Sequence, residues 1–515
     1  MNTNERFKPT IGKNVIENLT VGMYDDARFV YREYVQNAAD QIDIAKKQNL
    51  YQSENESAIY IQINAETKTV TIEDNATGIE WQKVLPLLGN VAQSTKNKYE
   101  DKGFRGIGRL GGLGYCDKLI FETSFYGESV KSTMIWDAKK LKEIISDDSI
   151  KIGAAELISI ITDYSFEHNE SADTHYFKVI MENVTNDVLL DVKQVRDYLS
   201  MVAPLPFANH FMHKNKIYNA AKEKNIIIGE YNIYVNTDQL FKGYKNNIYE
   251  NNTISEEDEI IDIAFFDDHY NETLLFWGWY GLSKNMNEKI PDENKERGFR
   301  LRKSNIQIGL ETTLDKYHKE ERGNSYFVGE IYAVNKELIP NARRDFFIDN
   351  SECDALKQSL IKLFTNLKTL YYDFSNAKSA INIIQESEKL REQLNDKSLN
   401  EEEKKVISDK LQKKGKKLIK AKKDLSKLAK KYEGQVLGCI IQESGFDFKE
   451  KEQQQNQQQE QKKYSDSNAQ RVIDNKKLLS LEEELLLKKI YAVIRQNSQM
   501  CGEELIQKIE AEIRK

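Results

Sequence analysis

Apolar residues recur along this chain with two different periods. Residues 58–63, 118–121 and 175–180 are short apolar runs of strand character, and the β-branched run 70–72 ends in a turn signal at Gly78. Ala27, Val30, Tyr34 and Val35 fall mostly at helical spacing, which predicts a helix through Asp40. A further helix over 192–202 stops at Ala203-Pro204-Leu205-Pro206, because proline disfavours continuation. Residues 1–210 therefore read as one α/β domain. Strand candidates at 225–228, 231–235, 273–280 and 326–334 make residues 211–375 a second α/β domain. Between them, residues 297–306 read either as a basic edge near phosphates or as a charge-guarded edge strand.

The pattern changes at about residue 376. Ile384, Leu390 and Leu394 suggest one helix, and Ser398-Leu399-Asn400-Glu401 reads as a capping box that opens another. Leu411, Leu418, Leu425 and Tyr432 follow at intervals of seven, with Ala421 and Leu428 between them. This seam, broken by Lys414 and Gly415, predicts a helical hairpin or dimeric coiled coil over 376–447. Residues 448–465 are a Gln-rich linker, too polar to bury a core. Leu479, Leu481, Leu485, Leu486, Ile490 and Ile494 then predict C-terminal helices over 466–515. The fold class is α/β (α+β) with a helical, coiled-coil C-terminal region.

Composition narrows the function. A chain of 515 residues with 39% hydrophobic content builds two or three cores. The net charge of −7 carries no global nucleic-acid signature. The exception is local: the Lys-rich helix 404–431 could touch nucleic acid, although a lysine run is also an ordinary solvated face. Cys116, Cys353, Cys439 and Cys501 lack paired spacing, and the six histidines form no ligand cluster. Neither a disulfide framework nor a zinc site is expected. With no signal-peptide pattern and no run approaching the ~20 apolar residues of a membrane span, a cytoplasmic protein without membrane attachment is expected.

Three segments carry candidate chemistry. Glu33, Asn37 and Asp40 share one helix face, where a carboxylate and a carboxamide one turn apart could hold a water beside a hard cation. Asp74, at a strand end, is followed by Gly78, which suits close approach of a planar ligand. Gly103, Gly106, Gly108, Gly111, Gly112 and Gly114 crowd one segment, whose backbone N–H groups could converge on phosphate oxygens. Two familiar glycine motifs fail here. Gly106–Gly111 fits G-x-G-x-x-G but follows a polar stretch rather than a strand. Gly103–Gly108 has Walker A spacing, but Arg109 and Leu110 replace its Lys and Ser/Thr.

The order Glu33…Asn37, Asp74…Gly78, Gly103…Gly108 and Phe121-Glu122-Thr123 resembles the GHKL ATPases, among them Hsp90, DNA gyrase B, MutL, MORC proteins and histidine kinases. The resemblance covers about the first 210 residues and implies a Bergerat-type α/β sandwich that binds ATP and Mg²⁺. It implies that Glu33 activates the attacking water and that Asn37 holds Mg²⁺. Asp74 would accept from the adenine amino group, helped by Thr123, with the base lying against Gly78. Gly103, Gly106, Ile107 and Gly108 would form the lid and phosphate nest. Arg32-Glu33 resembles the Arg-Glu pair of Hsp90, and residues 88–96, ending in Lys96, resemble the segment that opens its lid; Asp40 belongs to the same nucleotide face. Ala76 stands where the family has a glycine.

Leu338-Ile339-Pro340-Asn341-Ala342-Arg343-Arg344-Asp345 resembles the Hsp90 middle-domain loop that sends an arginine to the γ-phosphate. Arg344 matches best, with Arg343 as its neighbour. A Mg²⁺-dependent, Hsp90-like ATPase switch is thus expected, acting on a protein client or operon partner as a constitutive or ATP-induced homodimer. The alternative is a nucleic-acid-associated clamp of the MutL or MORC kind, in bacterial defence or repair.

Overall fold

The computed structural model describes residues 11–20, 26–53, 56–92, 102, 106–249, 256–284, 288–395, 400–433 and 435–443. The Gln-rich segment 448–465 and the C-terminal helices expected over 466–515 lie outside the described residues, as do Lys96 and Gly103.

The first part runs α1 (Asn14–Thr20), α2 (Phe29–Lys47), β1 (Ala58–Asn64), β2 (Thr69–Asp74), α3 (Trp81–Gly89), β3 (Lys118–Ser124), β4 (Lys131–Asp137), α4 (Ala138–Ser146), α5 (Ala154–Ile161), β5 (Thr162–Glu167), β6 (Tyr176–Glu182), α6 (Val192–Val202), α7 (Lys214–Glu223), β7 (Asn232–Val235) and β8 (Asp238–Gln239). The strands form one sheet in the order β5-β4-β3-β6-β2-β1-β7-β8. Only the β1–β7 pair is parallel within it. Buried and more exposed residues alternate along β2 and β4, the signature of a sheet with one covered face. Val30, Tyr34, Val35, Ala38 and Ile42 of α2 join Ile59, Ile61, Ile72, Phe121 and Met181 of the strands in a single core.

The sheet does not end where residue 210 would divide the chain. Ile233 pairs with Ile59 and Val235 with Ile61, so β7 and β8 extend the first sheet. The second sheet is built from β9 (Asn247–Tyr249), β10 (Glu256–Tyr270), β11 (Thr273–Ser283), β12 (Gly298–Lys303), β13 (Ile306–Gln307) and β14 (Val328–Ala333), in the order β13-β12-β14-β11-β10-β9. Every residue of β14 is buried.

Strand β12 corrects both readings of the arginine-rich segment. It lies between β13 and β14, and Arg300 and Arg302 are buried rather than at an edge. Arg302 pairs with Glu330, which also accepts from Lys242 Nζ at 2.8 Å and from Trp279 Nε1 at 3.3 Å. Burial opposes the charge on Glu330, but Arg302 and Lys242 overcome it and hold its carboxyl down to about 2. Arg302 Nη2 also donates to the carbonyl of Met201 at the end of α6 (2.6 Å), which ties this ion cluster to the first part of the chain.

Helix α8 (Ser351–Leu394) begins at the Asn350 cap, so residue 375 lies inside it. Helix α9 (Glu401–Lys431) starts two residues later than the expected box: Asn400 and Glu403 form the reciprocal cap. Its seam residues Ala421 and Leu425, with Tyr432 just beyond, are buried. Lys414 pairs with Glu386, and Lys431 at 2.6 Å with Asp373, which makes α8 and α9 an antiparallel hairpin within one chain. Helix α10 (Val436–Glu443) follows. Among the described residues no helix is long and apolar enough to cross a membrane.

His318 gives this part of the molecule a pH dependence. Its ring stacks on Phe364 of α8, centroids 3.8 Å apart, and burial pushes its pKa down to about 4. The folded state therefore binds the proton more weakly than the unfolded chain. Stability is fully present above the unfolded value of 6.5 and is lost as pH falls toward 4. Chemical denaturation of wild type and His318→Phe at pH 7 and pH 4 should show wild type losing about 2–3 kcal/mol more than the variant. Equal losses would remove His318 as the cause.

Candidate functional site

Helix α2 supplies the first side chains. Glu33 is 6% exposed and Asp40 3%, while Asn37 between them is half-buried. A Cβ on Gly108 would lie 2.5 Å from Glu33 Oε2, so the backbone meets the carboxylate closely here and a larger residue would push the carboxylate aside. On the other side, Arg32 Nη2 lies 3.4 Å from Glu33 Oε1 and donates to the carbonyl of Arg343 (3.3 Å). The Arg32 guanidinium sits over the Phe29 ring at 4.3 Å, and its Nε and Nη1 are buried without a hydrogen-bond partner among the described residues. Arg32 thus holds one oxygen of Glu33 and leaves the other facing the glycine segment.

From Gly106 onward that segment folds into more than a loop. Gly106 has φ +71°, and residues Gly108–Gly114 form a short 3-10 helix with Leu110 and Leu113 in the core. Tyr34 Oη accepts from Gly112 N (3.1 Å) and donates to Arg109 O (3.0 Å), which pins the helix to α2. Ile107 is 9% exposed beside it. Arg109, which only disqualified a Walker motif in the sequence, is a half-buried cation whose pKa burial lowers to about 10.

Asp74 ends β2, is 3% exposed, and accepts from the backbone N–H of Ala76 at 3.1 Å. Ala76 is fully buried, and its carbonyl contacts His175 Nδ1 at 2.6 Å. Gly78 has φ +68°, and a Cβ there would lie 1.8 Å from the Ser124 carbonyl oxygen. The β3 backbone alone therefore demands glycine at this position. Thr123 Oγ1 accepts from Ile79 N (3.0 Å) and donates to Tyr176 O (2.8 Å), which joins the Asp74 turn to β3 and β6.

The loop after β14 reaches this site. Arg343 is exposed but Arg344 is 5% exposed, and Arg344 Nη1 donates to the carbonyl of Lys102 at 2.6 Å. Arg344 adopts φ +56°, a left-handed conformation that costs a non-glycine residue about 1–2 kcal/mol. Asn341 O, accepting from Arg344 N, and Gly309 N, donating to Arg344 O, hold it there.

Lys102 is the residue that the sequence did not single out. Its N–H donates to Asp40 Oδ1 (2.9 Å), its Nζ pairs with Asp43, and its carbonyl receives Arg344. Tyr231 Oη donates to Asp43 Oδ1 at 2.7 Å. The available signal was Asp43 at i+3 from Asp40 on the charged face of α2. The structure thus brings Gly108 to Glu33, the Arg343 carbonyl to Arg32, and, through the Lys102 backbone, Arg344 to Asp40, along the first three turns of α2, which also carry Asn37. Asp74, Gly78 and Thr123 are joined at the β2–β3–β6 turn.

Oxygen donors dominate. Among the described residues no group of three or more His, Cys, Asp or Glu side chains could hold a metal by itself. A hard cation such as Mg²⁺ fits that set, because it takes one or two protein oxygens and completes its shell with water and phosphate.

Residues 29–167 match the family model described as "Histidine kinase-, DNA gyrase B-, and HSP90-like ATPase", and this stretch is a domain of that kind. The chain is 23% identical over 144 residues to the chaperone protein HtpG of Legionella pneumophila (strain Lens), covering 25% of this chain and 23% of that one. It is 24% identical over 199 residues to HtpG of Shewanella loihica, 35% and 31% of the two chains. With HtpG of Buchnera aphidicola the figures are 28% over 153 residues, 26% and 24%. The matched part spans about a quarter to a third of these relatives' length.

Proposed function

We propose that this chain is a Mg²⁺-dependent ATPase in which ATP closes the glycine segment and the Arg344 loop over α2. The observation that carries the reading is the path from Glu33 to Gly108 on one side and through Arg32 and Lys102 to the Arg343–Arg344 loop on the other. A buried carboxylate and a loop from the second sheet region are thus held along the same face of α2.

Each residue then has a task. Asp74 accepts from the adenine amino group, Thr123 assists, and Gly78 keeps the turn against β3. Gly103, Gly106, Ile107 and Gly108 would offer backbone N–H groups to the phosphates, with Lys96 and Asp40 as further nucleotide contacts. Asn37 would hold Mg²⁺, which neutralises phosphate charge when bound. Glu33, oriented by Arg32, takes the proton of the attacking water. Arg344 stabilises charge on the transferring phosphoryl group. Closure converts the phosphate contacts into a change of geometry between the two sheets. Its consumer is a protein client or partner, as the chaperone relatives' name suggests, with a homodimer or ATP-induced dimer as the working form.

Arg344→Ala tests the docking step. Turnover should fall about 10³-fold, within the range for an arginine supplied from another element, while ATP affinity changes less than about tenfold. Arg344→Lys should not restore the rate, because an ammonium lacks the planar fork. Unchanged turnover in Arg344→Ala would refute docking.

A further inference from the structure

Helix α9, among the described residues, carries a pronounced charge asymmetry apart from the nucleotide site. Lys413, Lys416, Lys420, Lys423, Lys427 and Lys430 follow at intervals of three and four residues, so they form one stripe along the helix. All six are exposed, and none makes an ion pair among the described residues. The opposite stripe, with Ala421 and Leu425, is covered by α8. The hairpin therefore presents a rod of positive charge about 25 Å long, at ~1.5 Å per residue. That is roughly seven base-pair steps of a duplex at ~3.4 Å each. The chain as a whole carries −7, so the stripe is a local feature and not a reflection of overall charge.

The chemistry of the stripe selects its partner. A helix inserts into a membrane surface by an apolar face, but α8 occupies that face and the large apolar side chains exposed on α9 are Val406 and Ile419, so only the electrostatic pull of an anionic leaflet would remain, which the vesicle competition below measures. Single-stranded nucleic acid is held by aromatic platforms, and α9 exposes none. An acidic peptide gains specificity from pockets or forked arginines, and the stripe offers only lysine point charges. Dense negative charge at regular spacing along a straight path is what remains, namely a phosphodiester duplex. The B-form major groove, about 12 Å wide, admits one helix, whereas the deep, narrow A-form groove does not.

We propose that the outer face of α9 docks the phosphate backbone of duplex DNA without sequence preference. This inference stands apart from the nucleotide reading, since its observations concern α9 and none of the residues assigned to the α2 site.

Fluorescence anisotropy of the full chain with a 30-base-pair labelled DNA duplex, across a potassium chloride series, tests it. Six contacts give a slope of log K against log salt of about −5. Lys416→Glu/Lys420→Glu/Lys423→Glu should weaken binding at least about 100-fold at low salt and flatten the slope by about three. The Lys→Gln version should flatten it equally without adding repulsion. It also serves if the glutamate version fails to fold, as judged by its melting temperature. Lys47→Glu/Lys139→Glu/Lys193→Glu, the same charge change on the first domain, should alter affinity less than about threefold. The proposal is overturned if 50 mM salt shows no binding, or if the first-domain triple variant weakens it as much as the α9 triple variants do. It is also overturned if single-stranded DNA, double-stranded RNA, anionic vesicles or polyglutamate compete as well as duplex DNA.

Discussion

Asp74→Asn should lose ATP binding while keeping its fold. Asp74 is 3% exposed and accepts from Ala76 N at 3.1 Å, a bond that the carboxamide oxygen of asparagine can still make. The remaining position then becomes an NH₂ facing the adenine amino group, donor against donor. A buried donor left without an acceptor costs about 1–3 kcal/mol, and the adenine loses its own partner as well. Sites built around such a hydrogen bond reject ligands that cannot make it by about 10⁴-fold. Calorimetric titration should therefore detect no ATP binding, and ATP should no longer raise the melting temperature of the variant. Wild-type affinity in Asp74→Asn would remove adenine from that turn.

Glu33→Ala should separate chemistry from binding. The carboxylate touches Arg32 and the Gly108 backbone rather than the Asp74 turn, so its removal leaves the base pocket intact. General-base contributions are about 10²–10⁴-fold, and turnover should fall by that factor. ATP affinity should change only a few-fold. Glu33→Gln keeps the shape beside Gly108 and should be equally slow, which excludes a packing explanation. A turnover loss matched by lost affinity would make Glu33 a nucleotide contact instead of a base.

What could be read from the sequence were features carried by neighbours in the chain. The helix period of α2, the run before Asp74 and the strand at Lys118–Ser124 need no distant partner to be recognised. The Glu33–Asn37–Asp40 face follows from helix geometry alone. What escaped depends on residues far apart. Asn232–Val235 reads as a strand of the second domain, and nothing in its pattern names Ile59 and Ile61 as its parallel partners. Arg302 looks like a surface charge until Glu330 and Lys242 close around it. Lys102 matters because its backbone lies between Asp40 and Arg344, and a carbonyl carries no signature in sequence. The cap of α9 slipped by two residues because Ser398-x-x-Glu401 and Asn400-x-x-Glu403 both satisfy the same pattern.

Gly78 shows how one residue can answer to two demands. The proposed base contact favours glycine there, but the Ser124 carbonyl 1.8 Å from a built Cβ already requires it. A Gly78 substitution would therefore report on folding and not on nucleotide binding, which is why Asp74 is the better probe.

The central claim is that this chain binds ATP through its adenine and hydrolyses it with Mg²⁺. The direct measurement is a titration of the wild-type protein with ATP and with GTP, with phosphate release followed in the same samples with and without Mg²⁺. The account predicts one saturable site per chain for ATP, no comparable site for GTP, and phosphate release only when Mg²⁺ is present. No ATP binding, or equal binding of GTP, would contradict it.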